Sequence, residues 1–520
     1  MTKRFDVAVI GLGPVGSAAA LLFAEAGLSV VAFERDVDVF PLPRAVGFDG
    51  EIVRGLQRIG YGEAINALLQ PTGPDGRVGF ANSRREWLFG MPSQDFGVNG
   101  WQPLGFFHQP EVDGFLRENA EKHENTTAYV GYSVDGFEDD GDRVVVKAKH
   151  IDSGEVVEAE ARYLVACDGA SSPTRKALGI NWKDLGYDHD WLVVDVTVGE
   201  GNTLAHDALQ VCDPDRLATY VPVKDPYRRW ERKMNEGETR EEMLDPEKIA
   251  SLIDPWTPRG TFEVIRSAVY QFHAATAEQW RVGRVFLAGD AAHQTPPFLG
   301  QGMNAGMRDV INLAWKLPLV LSGAATDALL DRYEAERKPH AEDLVEWAVE
   351  FGHLMEHQAA VEAAERAGEP PPQEVPGRRS AGYGQGREAP PLRAGVLLID
   401  QVSDEGSTGY LFSQPIVTDE NGREFRLDER LGRGFALVAR AGVSLEFDPA
   451  TTDRIERLDV QVASLDGLTA TRGHFDRLFA DSEFAIVRPD RYVFGHTTDS
   501  LDVAELVEAL ESRLELTARG

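Results

Sequence analysis

The sequence predicts an α/β protein. It reads as a parallel sheet flanked by helices, interrupted by an inserted, mostly antiparallel sheet and followed by a smaller α/β module. Three observations predict this. A strand, glycine turn, helix and strand open the chain over 5–34. Strand-like runs separated by polar stretches replace that alternation from about 181 to 269. A stretch rich in Pro, Gly, Arg and Glu near 369–391 precedes a new set of strands and a closing helix.

The first element is Phe5-Asp6-Val7-Ala8-Val9-Ile10, a short apolar run of the kind that forms a buried parallel strand. Gly11-Leu12-Gly13-Pro14-Val15-Gly16 follows at once. Gly11 permits the tight turn, Gly13 lets the backbone approach a pyrophosphate, and Gly16 lets the next helix pack against the strand. A helix over Ser17 to Ala26 then points its N-terminal amides at the phosphates. Gly27 ends it, Leu28 to Phe33 forms the second strand, and Glu34 closes that strand where a ribose hydroxyl would be met, with Arg35 beside it. A glycine triplet in this setting marks a Rossmann-type dinucleotide site. Pro14, Glu25 and the interspersed glycines argue against a signal peptide or a membrane span over the same apolar stretch.

Composition narrows the partners. The chain of 520 residues carries 85 acidic against 53 basic residues, a net charge of −32. That balance disfavours nucleic acid and anionic membranes. There are 2 cysteines, Cys167 and Cys212, so no zinc-ligand set or disulfide framework is available. No metal site is expected, and a cytoplasmic location is. Cys167 lies in an apolar strand and reads as a small core residue.

Two further glycine segments specify the dinucleotide. Strand Arg162 to Cys167 ends in Asp168-Gly169, followed by Ala170-Ser171-Ser172-Pro173-Thr174-Arg175. Strand Val285 to Ala288 ends in Gly289-Asp290, followed by Pro296-Pro297-Phe298-Leu299-Gly300-Gln301-Gly302-Met303-Asn304. An aspartate at a strand end is suited to the hydroxyls of a ribityl chain, which FAD has and NAD lacks. The helix opened by Gly302 offers free amides to negative charge on the pyrimidine side of a flavin. Pro318 interrupts that helix, and a kink or early end near Leu317 is expected.

These three motifs, in this order and spacing, resemble the class A flavoprotein monooxygenases, the para-hydroxybenzoate hydroxylase superfamily. Within it, the chain is most similar to the 3-(3-hydroxyphenyl)propionate hydroxylases. That similarity rests on Pro43-Arg44-Ala45-Val46-Gly47-Phe48-Asp49, Val211-Cys212-Asp213-Pro214 and Gly300 to Asp309 with Asn312-Leu313-Ala314-Trp315-Lys316. The resemblance implies hydroxylation of a phenolic substrate with dioxygen and NADPH or NADH, through a flavin 4a-hydroperoxide. It assigns FAD contacts to Gly11, Gly13, Pro14, Val15, Gly16, Glu34, Arg35, Arg44, Gln109, Asp168, Arg175, Asp290, Pro297, Gly300, Gly302, Met303 and Asn304. The substrate pocket is expected to hold Cys212, Arg216, Tyr220, His273 and Phe298. His273, Tyr220 and Pro297 are the candidates for catalytic contacts, and His293 is a further candidate base; Arg216 and Arg228 could meet a substrate carboxylate or be solvated loop residues.

The expected organisation is an FAD-binding domain over 1–75, 104–180 and 270–358, a substrate-binding domain over 76–103 and 181–269, a linker over 359–391, and a C-terminal domain over 392–520. The last resembles the thioredoxin-like domain of the phenol hydroxylase branch, with Val487-Arg488-Pro489-Asp490-Arg491-Tyr492-Val493 as the recognisable piece. It lacks redox cysteines, which points to a structural or homodimer-forming role. Related scaffolds tailor pyridinols and polyketides, so those substrates stay open, as does a flavin-dependent reductase. A flavin halogenase is disfavoured because Gly100-Trp101-Gln102-Pro103 does not match its tryptophan motif.

Overall fold

The computed structural model describes residues 4–71, 76–92, 94–199, 202, 204–373 and 389–517. The first sheet is built around strand Arg4–Ile10, in which Val7 to Ile10 are buried. Val30–Glu34 pairs with it in parallel on one side and Val156–Ala166 on the other. Thr126–Val130 and Val285–Leu287 extend the two edges, again in parallel. Strands covered on both faces become near-continuous apolar runs. The chain leaves the central strand toward one neighbour and later returns on the opposite side. A crevice therefore opens at the carboxyl ends of Arg4–Ile10 and Val156–Ala166, where open α/β sheets bind ligands.

The second sheet has eight strands. In spatial order they are His293–Gln294, Phe262–Ala277, Trp182–Val198, Tyr227–Lys233, Ala218–Val221, Ala208–Cys212, Arg77–Asn82 and Trp87–Pro92. All neighbours run antiparallel except Ala208–Cys212 beside Arg77–Asn82. Its register decides the substrate side of the molecule. Gln210 lies opposite Thr219, Thr219 opposite Glu231, and Glu231 opposite Val193. Directly opposed residues share a face, and each next residue along a strand points to the other.

Two helices differ from expectation. Helix Gly302–Leu321 does not end near Leu317 but continues through Pro318. The proline removes one backbone donor, but buried Leu317 and Val320 hold the last turn and Ser322 N donates to Pro318 O at 2.9 Å. Helix Ala328–Ala367 continues past 359 and ends at Gly368, which adopts a left-handed φ of 71°. The segment expected as a linker from 359 is thus helical at its start. Its stretch 374–388 lies outside the described residues.

The C-terminal domain is a thioredoxin-like α/β unit. Its central sheet runs Gln461–Ser464, Ala436–Ala439, Phe484–Val487 and Val493–His496, the first pair parallel and the others antiparallel. Helix Val503–Arg513 closes it, with Asp502 and Glu505 forming a reciprocal cap. Buried ion pairs lock this domain to the first. Arg488 meets Glu336 at 2.7 Å, and Arg54 meets Asp428 at 2.7 Å.

Candidate active site

Two cavities of about 440 and 330 Å³ share Gly13, Pro14, Arg44, Gln109, Cys167 and Gly169 as walls. They form one elongated space. It starts beside Glu34, passes over the Gly13 turn and ends against the second sheet at Phe298.

At the Glu34 end the backbone does the shaping. Gly11 has φ +89°, and a Cβ there would stand 2.6 Å from Cys167 O. A Cβ on Gly16 would stand 1.8 Å from Gly11 O, so Gly16 serves helix-to-strand packing and does not itself line the space. Gly13 has nothing within 4 Å of its Cβ position. Its backbone is open to a ligand. Glu34 is held in place by its own turn: Leu12 N donates to one carboxylate oxygen at 2.6 Å and Asp36 N to the other at 2.8 Å. Arg35 lines the same end and pairs with Asp36 at 3.1 Å.

Asp168 accepts from Thr174 N at 2.9 Å, while its buried Oδ1 has no partner among the described residues. Ser172 caps the following short helix by accepting from Arg175 N at 2.9 Å. The structure does not bring Arg175 to the cavity. Its guanidinium turns inward, donates to Ile180 O at 2.7 Å and lies 4.2 Å over Trp182. The helix cap that orients the backbone directs this side chain away. Cys167, expected in the core, is only partly buried and lines both cavities.

At the waist, Gln109 Oε1 accepts from Arg44 N at 2.6 Å and Ala45 N at 2.7 Å. Its amide donates to Asp113 at 3.0 Å, and burial pushes the Asp113 carboxyl up to about 7. Gln109 therefore staples the Arg44 loop to the first turn of helix Gln109–Lys122 as well as lining the space. The Arg44 guanidinium lies 4.6 Å over Phe40.

Deeper in, Asp290 is exposed to the cavity, and enclosure raises its carboxyl above the usual range while His293 and Arg44 oppose that shift. His293 is buried and structural. It meets Asp309 at 2.8 Å and stacks on Trp280 at 5.3 Å. Asp309 in turn accepts from Gly289 N at 3.0 Å, which fixes the turn carrying Asp290. Gly300 has φ +59° and admits the chain to helix Gly302–Leu321, whose first-turn amides have no intrahelical acceptor. Gly302 and Met303 line the cavity. Asn304 is buried behind it, accepting from Asp49 N at 3.0 Å and donating to Gly300 O at 2.7 Å.

The far wall is the second sheet. Phe298 packs edge-on against Tyr187 and Trp191, and Pro297 stands beside it on the wall. His273 is exposed at the rim, 3.9 Å from Asp188. Tyr220 is turned to the opposite face, where it donates to Ala205 O at 3.0 Å and stacks on Trp256 at 4.9 Å. It is not a wall residue. Its neighbours Thr219 and Val221 are, because strand side chains alternate. Arg228 is off the wall for the same reason, and Arg229 is on it. Arg216 is tied to Glu238 at 2.6 Å, outside the cavity. Cys212 shares the wall's face but lies past its end, packed with Phe80, Trp191 and Phe298.

Sequence reasoning missed Gln210, Thr219, Glu231 and Arg229, all on this wall. Thr219 Oγ1 donates to Gln210 Oε1 at 2.6 Å, and Gln210 Nε2 donates to Phe298 O at 3.3 Å. Arg229 forms a fork with Asp195 at 2.7 and 3.1 Å and donates to the carbonyls of Pro43 and Arg44. Arg266 bonds the same Pro43 carbonyl. These two arginines clamp the Arg44 loop to the sheet. Neither 217–222 nor 227–233 alternates apolar and polar residues, so the wall emerges only from strand pairing, which puts Thr219 opposite Glu231 and Gln210 opposite Thr219.

The open glycine backbone at Gly13, the unpartnered Asp168 oxygen and the enclosed Asp290 carboxyl fit a dinucleotide with a hydroxylated chain between its halves. Comparison with known proteins agrees. Residues 4–348 match the FAD binding domain family, and 409–513 match the HcaD C-terminal domain. The chain is 33% identical, over 98% of its length and 95% of the relative's, to a probable NADH-specific resorcinol 4-hydroxylase of Rhodococcus jostii. It is 34% identical, over 83% of its length and 77% of the relative's, to a 3-(3-hydroxy-phenyl)propionate/3-hydroxycinnamic acid hydroxylase of Klebsiella pneumoniae. Its fold matches an aklavinone-11 hydroxylase crystallised with FAD and aklavinone, with TM-score 0.76 and 24% identity over 99% of both chains. The chain belongs to the FAD-binding class A flavoprotein monooxygenases of the para-hydroxybenzoate hydroxylase type.

Proposed function

We propose that this protein hydroxylates a small phenol, using dioxygen and a nicotinamide donor. The observation that carries this reading is the single space that runs from Glu34 past Asp290 to a wall of Phe298, Gln210, Thr219 and Glu231. One end suits an adenine dinucleotide, and the other is a chamber with apolar and polar walls that can take a ring. Bound FAD supplies the redox and oxygen chemistry there, and the protein supplies placement, charge and exclusion of water.

In this reading Glu34 meets the adenosine ribose, and the Gly13 backbone and Arg44 approach the pyrophosphate. Asp168 and Asp290 accept from hydroxyls, and the amides of Gly302, Met303 and Asn304 face the pyrimidine edge. Pro297 and Phe298 border the substrate. His273 at the rim guards entry. Relatives named for resorcinol and for hydroxyphenylpropionate support a one-ring phenol over a pyridinol or polyketide. No helix among the described residues is long and apolar enough to cross a membrane. The C-terminal domain is the candidate surface for a homodimer.

The test is oxygen uptake by the purified yellow protein with NADH or NADPH and a panel of phenols, with product identified by mass. A phenol that accelerates nicotinamide oxidation and gains one oxygen supports the reading. Failure of every phenol in the panel to yield product contradicts it.

A further inference from the structure

Three polar side chains cross adjacent strands of the second sheet in one row. Gln210 stands opposite Thr219, and Thr219 opposite Glu231. All three line the cavity. Gln210 and Thr219 satisfy one another at 2.6 Å, and Gln210 is anchored to Phe298 O at 3.3 Å. Glu231 is different. It is a buried residue whose carboxylate accepts no hydrogen bond among the described residues, with the Arg229 guanidinium 3.9 Å away. Its strand neighbours Trp230 and Arg232 point into the opposite layer, so Glu231 faces the chamber.

The charged groups around it are accounted for. Arg229, two residues before it on its own strand, is held by Asp195 of the neighbouring strand and by the carbonyls of Pro43 and Arg44. Arg266, on the next strand, meets Asp195 at 3.4 Å and the same Pro43 carbonyl. Arg44, Asp290 and, at the rim of the same sheet, His273 also line the cavity. The two arginines of this wall are thus occupied, and the ionisable group left to meet a substrate there is a carboxylate.

We propose, resting on the hydroxylase reading, that Glu231 is the catalytic residue that takes the proton of the substrate's phenolic hydroxyl, and that the site selects phenols lacking a carboxylate. The O–H bond breaks, the proton passes to a Glu231 carboxylate oxygen, and the electron pair stays on the phenolate. That raises electron density at the ring carbons ortho and para to it, where the oxygen atom is received. When the ring regains aromaticity its displaced hydrogen leaves as a proton, and Glu231 returns the first proton to the phenolate oxygen. Dioxygen and the nicotinamide donor supply the oxidant and the electrons, as in the reading above. Burial pushes the Glu231 carboxyl up to about 7, opposed by Arg229 and reinforced by Asp195, which suits a base working near neutrality. A substrate carboxylate would meet this like charge, and the nearest cation, Arg229, is already held by Asp195.

The test compares wild type, Glu231→Gln and Glu231→Asp, each loaded with FAD, on a neutral phenol that wild type converts. Wild-type kcat/KM should fall as pH drops through about 7. Glu231→Gln should lose that limb and form product at least about 100-fold more slowly, within the range of a general-base contribution. It should still oxidise NADH, releasing peroxide, and Glu231→Asp should restore the limb in part. A Gln variant that matches wild type in rate and keeps the acid limb overturns the role of Glu231 while leaving the hydroxylase reading intact. Wild type that makes no product from any phenol overturns both. A higher wild-type kcat/KM for a phenol bearing a carboxylate than for its neutral counterpart overturns the substrate selection.

Discussion

The two ends of the cavity are made by different means. Around Gly11 to Gly16 the site is backbone: left-handed φ at Gly11, an open Gly13 and a helix pressed against a strand at Gly16. Around Gln210, Thr219 and Glu231 it is side chain, set by which residue of each strand faces inward. A backbone site leaves glycines in fixed order and survives as a motif. A side-chain wall leaves only a parity, and a shift of one residue exchanges wall for core.

The sharpest way to break this contrast is at Gly16. Gly16→Val would drive a Cβ to 1.8 Å from Gly11 O, so the helix must part from the strand at a cost of several kcal/mol. The expected outcome is protein without bound flavin and with a much lower Tm, read by absorbance and thermal melting. A fully yellow, stable variant would show that the turn is not the cofactor's cradle.

The wall should respond to pH where the turn does not. The Glu231 carboxyl lies near 7 in the folded protein against an ordinary value of 4.5. It therefore favours the folded state below about 4.5, and that contribution disappears as pH rises through about 7. Glu231→Gln lacks this loss. Its stability relative to wild type should climb across that window by on the order of 3 kcal/mol. Parallel denaturation curves at acid and alkaline pH check it; a constant difference would place Glu231 in a solvated setting.

Asp290→Ala removes an acceptor carried by a motif turn. FAD should bind about 10- to 100-fold more weakly, the range for hydrogen bonds to a charged group. Retention of wild-type affinity would sink its assignment to the ribityl hydroxyls.

The finest test is a pair of neighbours. Thr219→Val should raise KM for the phenol several-fold, with an effect of about 1 kcal/mol. Tyr220→Phe loses the bond to Ala205 O and should cost about 1 kcal/mol of stability with KM unchanged. If Tyr220→Phe moves KM instead, the register argument is reversed.

What was legible in the sequence follows the same division. Strands buried on both faces, the glycine turns and the aspartates that end strands at 168 and 290 all carry local signals, and the α/β class with its inserted sheet followed from them. Residue type alone points to Tyr220 and Arg216, and the Val211-Cys212-Asp213-Pro214 resemblance points to Cys212. Pairing assigns Tyr220 to the Trp230 layer, Arg216 to Glu238, and Cys212 to an apolar cluster. Arg175 fits its motif, yet its side chain packs on Trp182, since the motif constrains the turn more than the guanidinium. The linker expected from 359 is helical as far as Ala367. The helix from Ala328 holds because Val345, Ala348, Phe351 and Met355 pack against the second sheet's cluster.

The central claim is that one space brings a flavin and a phenol together. Turnover under isotopically labelled dioxygen, with NADH and resorcinol-type phenols, tests it most directly. The account predicts one labelled oxygen atom per product molecule and nicotinamide oxidation that the phenol accelerates. Nicotinamide oxidation at the same rate without phenol, with all the label recovered in peroxide and water, would contradict it.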